Sequence, residues 1–431
     1  MTGLSKNWRR AIFACALLAT TVKIFLALYS SGTLDVFAFR EFLANIRDVG
    51  GIATYYRTGR AGNPFNHPPF MIHAIRAMGW LADATHLPFR FWLRFPAILA
   101  DLGNLFLVWK ICERNPALRH TPRALLLLAV YPGSIWISGY HGNTDPLMIF
   151  FVLLSLYLLH RARGAKSWLM SARGATWLAG AAFGMALNIK IVPVVFAPAV
   201  FLFLPDLKTR AKFFAAAAGV FLLASLPYIA EDPFVIWKTV FGYKSQYGRW
   251  GWTQLTVKLF PGAPLPLNSN HQLTGLHAQA ATAGRYLMLA SITAASVWMN
   301  WRRREERPPI FLQCGFVAFL FLFLTPGFGT QYLAWLAPWM FVRGAPGTRL
   351  YYWASACYIT LFYLTLSRAA QGALGLSQFL SETFYFCAGM LCWLALLAAL
   401  VSCARVLRNY TDAAEPLTET TRAPASSPAS S

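Results

Sequence analysis

Residues 11–35 read AIFACALLATTVKIFLALYSSGTLD. Ala11 to Tyr29 is an apolar run long enough to cross a bilayer, which takes roughly 20 residues. Lys6, Arg9 and Arg10 precede it, and Ser31-Gly32-Thr33-Leu34-Asp35 follow it. The run is long for the apolar core of a cleaved signal peptide, so it reads as a retained first span. Basic residues before a span lie on the cytoplasmic side, which puts Asp35 at the outer face.

The rest of the chain has the same character. Of 431 residues, 57% are hydrophobic, 16% aromatic and 13% charged, far too apolar for a soluble domain. The reading is an all-α, polytopic transmembrane helical bundle. Candidate spans are about 11–30, 92–111, 124–140, 145–160, 174–188, 190–204, 211–229, 284–301, 309–325, 329–342, 350–367 and 382–404, about twelve in all. Segment 68–85 holds His73, Arg76 and Asp83. Spanning with it costs about 2.5–3.5 kcal/mol for each ion near the bilayer centre, so it is expected to lie on the surface as an amphipathic helix. Charge parity supports that choice. The basic connections Arg114–Arg123, Arg161–Arg173, Lys208–Lys212, Arg302–Arg307 and Arg343–Arg349, and the tail from Arg405, then all fall inside. Both termini are expected in the cytoplasm. Two long loops, about 31–91 and 230–283, face outward. Residues 1–410 form one membrane domain, and 411–431, rich in Ser, Thr, Ala and Pro, read as a disordered tail.

The net charge of +22 is placed in these cytoplasmic connections and not on a basic face with interleaved aromatics, so no nucleic-acid partner is expected. The seven cysteines lie in or beside apolar runs without metal-finger spacing, and read as packing residues.

Polar residues gather at the outer face. Asp35 stands at a flexible exit from span one, followed by an amphipathic stretch, Phe37–Ile46. Asn66-His67-Pro68-Pro69-Phe70 leads into the surface helix, where proline fits the first turn. His141-Gly142-Asn143-Thr144-Asp145-Pro146 closes a hairpin and suits a turn in which Asp145 caps the next helix. Lys190 sits at the next outer turn. It suits either a headgroup or a phosphate, as does Lys23 within span one. The second long loop carries Lys244, Arg249, Trp250 and Trp252, cations outside against the general trend, with aromatics that suit a sugar face. Gln331-Tyr332 adds a polar pair at another outer helix mouth. The histidines show no helical ligand pair, so no structural metal site is read. A divalent ion held by Asp35, Asp145 and a substrate phosphate stays open.

These residues resemble the GT-C superfamily, membrane glycosyltransferases that use polyprenyl-phosphate sugars. An acid just after span one, at the start of a long outer loop, is that superfamily's hallmark and falls here on Asp35. Asn66-His67-Pro68-Pro69-Phe70 is similar to the His/Tyr-Pro-Pro-Leu element of protein O-mannosyltransferases and related bacterial enzymes. Gly142-Asn143-Thr144-Asp145 resembles a Gly-Gln-x-Asp turn, with Asn143 where Gln is common. Gln331-Tyr332-Leu333-Ala334-Trp335-Leu336-Ala337-Pro338 resembles a late-span pattern of bacterial polyprenol-phosphate-mannose-dependent transferases. The lone acid in the first loop differs from the acid pair of the protein O-mannosyltransferases. The missing large C-terminal domain speaks against an oligosaccharyltransferase.

The resemblance implies a GT-C-like architecture in a bacterial inner membrane, with the site facing outward. It implies transfer of a hexose, mannose being one candidate, from a lipid-linked donor to an acceptor hydroxyl with inversion. Asp35 is then the general base; Lys190, Arg249 and Lys244 meet the phosphate; and Asp145, His141, Asn143, His67, Gln331 and Tyr332 hold sugar or acceptor. A transporter or flippase is the main rival, on the strength of Asp101 and Asn104 within span two, although a buried pair bonded to neighbouring helices accounts for them. A membrane acyltransferase or polymer ligase working on the same carriers is the third reading.

Overall fold

Ser5 begins the first helix, its hydroxyl accepting from the Trp8 amide, and α1 runs over Lys6–Tyr29. The computed structural model describes residues 4–57, 65–114, 118, 121–164, 172–242, 245–260, 273–301, 307–366 and 378–410. The tail 411–431 and Lys244 lie outside the described residues.

The exit from α1 is not flexible. Gly32 turns the backbone with φ +79°, and Thr33 caps α2 (Leu34–Asp48), accepting from the Asp35 amide at 3.3 Å. Along α2, Val36, Phe39, Phe42, Leu43 and Ile46 recur at helical spacing and are buried. After the single turn α3 (Ala53–Tyr56), α4 (Phe70–Thr85) buries Met71, Ile72, Ile75 and Met78 against α2 and against α5 (Phe89–Arg114). His73, Arg76 and Asp83 point to its exposed side. The amphipathic helix expected here is therefore present, and its ions are not buried in the fold.

Among the described residues four helices are long and apolar enough to cross a membrane by themselves: Lys6–Tyr29, Phe89–Glu113, Leu207–Glu231 and Tyr385–Arg408. Several runs read as single spans are broken. Residues 124–140 divide into α6 (Pro122–Ala129), α7 (Pro132–Ser134) and a π-helical segment, Ile135–His141, because Pro132 cannot donate the amide a continuous helix needs. After α8 (Asp145–Gly164) and α9 (Ala172–Ile189), the run at 190–204 starts as a 3₁₀ helix, Val192–Phe196, before α10 (Ala197–Phe203). Residues 330–339 are 3₁₀ throughout; at about 2 Å per residue that winding covers more depth than an α-helix of equal length.

The remaining elements are α11 (Leu207–Glu231), α12 (Pro233–Ile236), α13 (Gly251–Leu259), α14 (Gly275–Asn300), α15 (Ile310–Leu324), α16 (Pro346–Leu366) and α17 (Gln378–Arg408). Several contacts join connections distant in the chain. Arg90 donates to the Leu28 carbonyl, Tyr56 bonds Asp232, and the Phe328 amide donates to Gln246 at 2.9 Å. Arg307 donates to Leu202 and Asn300 to Gln313.

Three tryptophans, Trp250 and Trp252 at the start of α13 and Trp393 of α17, cap α15. The orphan carbonyls of Leu322, Phe323 and Leu324, at the end of α15, accept from the indoles of Trp250 (2.9 Å), Trp393 (3.1 Å) and Trp252 (3.0 Å). The expected interfacial aromatics thus cap a helix as well.

Candidate functional site

Arg94 of α5 assembles the site. Its guanidinium is 0% exposed and donates to the carbonyls of Leu26, Ala27 and Ser30 at 3.2 Å and of Tyr140 at 2.6 Å. It thereby closes the end of α1 and joins it to the π-helical segment. These carbonyls lie at helix ends, the Leu26 one also accepting the Ser30 amide at 2.9 Å, and the planar five-donor fork suits several at once. A π-helical stretch places His141 at its end, and Gly142 closes it in the left-handed region, φ +81°. Thr33 ties the two strands of chain together by donating to the His141 carbonyl at 3.0 Å.

Asp35 and His141 meet as a result. Nε2 of His141 and Nδ2 of Asn143 each lie 2.9 Å from Asp35 Oδ2. The opposite imidazole nitrogen, Nδ1, lies 2.6 Å from the Tyr363 hydroxyl. Asp35 Oδ1 takes no hydrogen bond from the described residues. Protein surrounds Asp35, yet its side chain keeps 39% of its accessible surface, so it lines a recess. Burial raises its pKa; His141, Lys190 and Asn143 outweigh that and hold it at about 2. The first turn of α2 adds a favourable helix dipole. Asp35 is therefore ionised at neutral pH.

Asp145 does not cap α8. It is fully buried, and Lys190, at the end of α9, donates to its Oδ1 at 2.7 Å. Its Oδ2 has no partner among the described residues. The ammonium of Lys190 is thus already paired, in contrast to the free outer cation expected from the sequence. It still acts electrostatically on both Asp35 and His67.

His67 is 8% exposed and ringed by Phe39, Phe65 and Phe42, with centroids at 5.1, 5.7 and 6.2 Å. It bonds the Ile189 backbone, and its own carbonyl accepts from Tyr55 at 2.8 Å. Burial pushes its pKa down to about 3, with Lys190 adding to the effect. It is a neutral strut holding the first outer loop against the hairpin that carries Lys190, a different placement from the sugar contact expected.

The second loop approaches through α16. Arg249 is exposed and acts electrostatically on Tyr358, one helical stretch before Tyr363, which itself feels Asp35 and Asp145. Trp250 stacks on Phe328 at 4.5 Å and 9°. Gln331 is half-buried, and Tyr332 is buried against Trp335 at 4.1 Å and against Phe328 at 6.1 Å. Sequence reasoning missed Arg94, Tyr358 and Tyr363. A basic or hydroxyl side chain inside an apolar run was the only signal available for them.

One oxygen of each carboxylate is taken by protein donors. Asp35 Oδ2 is occupied by two N–H groups and Asp145 Oδ1 by an ammonium, and no cluster of three His, Cys, Asp or Glu ligands occurs among the described residues. Elsewhere, Asp101 is bound by Lys23 at 2.7 Å, Ser134 at 2.9 Å and Ser138 at 2.5 Å, and Asn104 donates to the Pro146 carbonyl. Asp101 is thus satisfied by neighbouring helices, as expected, whereas Asn104 is bonded through its Nδ2 and its buried Oδ1 has no partner among the described residues. Lys23 is spent on that pair and is not available to a headgroup.

Residues 66–237 match the family model of dolichyl-phosphate-mannose-protein mannosyltransferases. The superfamily resemblance read from short motifs is thereby borne out over a stretch that contains His67, His141, Asn143, Asp145 and Lys190. No curated protein matches the chain in sequence. Among solved structures, ArnT from Cupriavidus metallidurans bound to undecaprenyl phosphate is similar, with 16% identity and a TM-score of 0.49 over 94% of this chain and 79% of that one. The oligosaccharyltransferase of Archaeoglobus fulgidus, tethered to an acceptor peptide, gives 15% identity and a TM-score of 0.41 over 94% of this chain and 55% of that one.

Proposed function

We propose that this chain, a GT-C glycosyltransferase by its match over residues 66–237, transfers a hexose from a polyprenyl-phosphate donor to an acceptor hydroxyl at the outer membrane face. The observation that carries the assignment is Asp35: ionised, held by His141 and Asn143 through one oxygen, with the other taking no hydrogen bond from the described residues and the side chain 39% exposed.

The donor slides in from the bilayer. Asp35 Oδ1 takes the proton of the acceptor hydroxyl as that oxygen attacks the anomeric carbon. The bond from that carbon to the phosphate oxygen breaks, and the electron pair leaves with the lipid phosphate. Attack from the face opposite the phosphate inverts the anomeric centre. Arg249, without a carboxylate partner among the described residues, is the first cation for the leaving phosphate. Lys190 adds a second from within its pair, and Lys244 remains assigned from the sequence alone. Asp145 Oδ2, lacking a donor, suits a sugar hydroxyl. No step passes through a metal. The arrangement fits about twelve crossings with both termini cytoplasmic, as in a bacterial inner membrane, and mannose is the first donor sugar to try.

The test is Asp35→Asn, assayed in membranes with a radiolabelled polyprenyl-phosphate mannose and membrane acceptors. A loss of about 100-fold or more in transfer is expected for a general base. Undiminished turnover by a properly inserted Asp35→Asn protein sinks the assignment.

A further inference from the structure

We infer that Tyr363 is a positioning residue of the reaction: its hydroxyl anchors the imidazole of His141 at Nδ1, and His141 so held keeps Asp35 in place as the base. The inference rests on the proposed role of Asp35.

The hydrogen-bond roles are decided by chemistry. An ionised carboxylate only accepts, so the Asp35 oxygen 2.9 Å from His141 requires a proton on Nε2. In neutral imidazole the other nitrogen is then a bare acceptor, and which nitrogen bears the proton follows from the partner of its mate. That partner is the Tyr363 hydroxyl, 2.6 Å from Nδ1. The hydroxyl is a donor there, and it is the donor Nδ1 needs. Tyr363 is wholly buried on α16, stacked on Trp136 at 5.6 Å and 25°, with Tyr140 edge-on at 5.6 Å. The ring is too tightly held to swing away.

Without the hydroxyl, Nδ1 of the buried imidazole has no partner, and only the bond to Asp35 orients the ring. A ring that turns to satisfy Nδ1 withdraws its N–H from Asp35. Asp35 then moves or picks up a proton, and in either case ceases to accept one from the substrate. The groups that face Asp35 are His141 and Tyr363, Lys190 and His67, and Asn143 as a neutral donor. Of these, Tyr363 acts on Asp35 through His141.

The test is Tyr363→Phe, which keeps the ring and removes one oxygen. A drop of roughly 10–100-fold in kcat is expected, with KM for a polyprenyl-phosphate sugar changed much less, and an acid limb displaced to higher pH. A direct readout does not need transfer at all. Carbodiimide couples to protonated carboxyls, so its rate of modification of Asp35 at pH 5, followed by mass spectrometry, should rise several-fold in Tyr363→Phe. In a His141→Gln background the same substitution should add nothing, because its mediator is gone. Unchanged Asp35 labelling in a folded Tyr363→Phe protein, or an equal increment with and without His141, overturns the inference. Full activity of Asp35→Asn instead removes the base assignment, whatever Tyr363 does to the labelling.

Discussion

Lys190 Nζ stands 2.7 Å from Asp145 Oδ1, and the aspartate is wholly buried. A charge so enclosed is tolerable only with its counter-ion. Removing one partner of such a pair costs about 3–5 kcal/mol, because the other is left charged and unsolvated. Lys190→Met should therefore lower thermal stability sharply, and Asp145→Asn added to it should restore most of the loss. Transfer should not return fully with stability, since the double variant still lacks Lys190 as the second cation for the phosphate. Melting in detergent, followed by tryptophan fluorescence, separates the two effects. Additive losses in the double variant would mean that the two side chains do not depend on each other.

The second buried pair predicts the opposite division. Lys23 and Asp101 are 2.7 Å apart, and Ser134 and Ser138 complete the carboxylate's bonds. No group of the proposed chemistry touches them. Lys23→Met alone should destabilise by about 3–5 kcal/mol, whereas Lys23→Met with Asp101→Asn should recover both melting temperature and glycosyl transfer. If the recovered double variant is stable and inactive, these charges take part in function, and the transporter reading regains its main support.

How much of this was legible beforehand differs by level. Asp35, the His141–Asp145 turn and Lys190 were placed on one face by counting apolar runs and assigning basic connections inward. That argument needs only hydropathy and charge. The amphipathic helix at 68–85 was legible for the same reason. The broken passages were not, because Pro132 and the 3₁₀ winding at 330–339 leave hydropathy unchanged while altering hydrogen bonding. Pairings were the least legible. Tyr363 is 222 residues from His141, and Arg94 meets carbonyls 46 and 68 residues away. Backbone carbonyls leave no trace in side-chain sequence, so nothing local marks Arg94 as their partner. Lys190 looked free because nothing local announces that Asp145 will reach it.

The buried histidine gives a pH prediction. His67 has a pKa of about 3 in the fold, against an ordinary value of 6.5. The unfolded chain takes up a proton below 6.5 that the folded chain refuses. Its contribution to stability is therefore complete above pH 6.5 and declines as pH falls toward 3, by about 1.4 kcal/mol per unit at most. Asp35 titrates lower, between its ordinary 3.8 and about 2, and at 39% exposure its share is screened by solvent. Melting temperatures from pH 7 to 4.5 should fall less steeply in His67→Gln than in the natural chain. Parallel slopes would show that His67 takes up its proton without penalty.

Two glycines make the last prediction, and they should move in opposite directions. Gly32 has φ +79°, and a Cβ there overlaps the Arg94 guanidinium and stands 2.8 Å from the Tyr140 carbonyl. The left-handed backbone alone costs an alanine about 1–2 kcal/mol. Arg94 cannot yield without abandoning carbonyls on both α1 and the π-helical segment, so Gly32→Ala should reduce both stability and transfer. Gly219 lies inside α11 with nothing within 4 Å of a built Cβ. There alanine removes only backbone freedom, and Gly219→Ala should raise stability by about 0.4–1 kcal/mol with transfer unchanged. Thermal melts of both variants, with transfer assays beside them, check the pair. A Gly32→Ala protein that melts with the natural chain would mean that the turn after α1 can reshape around Arg94, and that the position of Asp35 is set elsewhere.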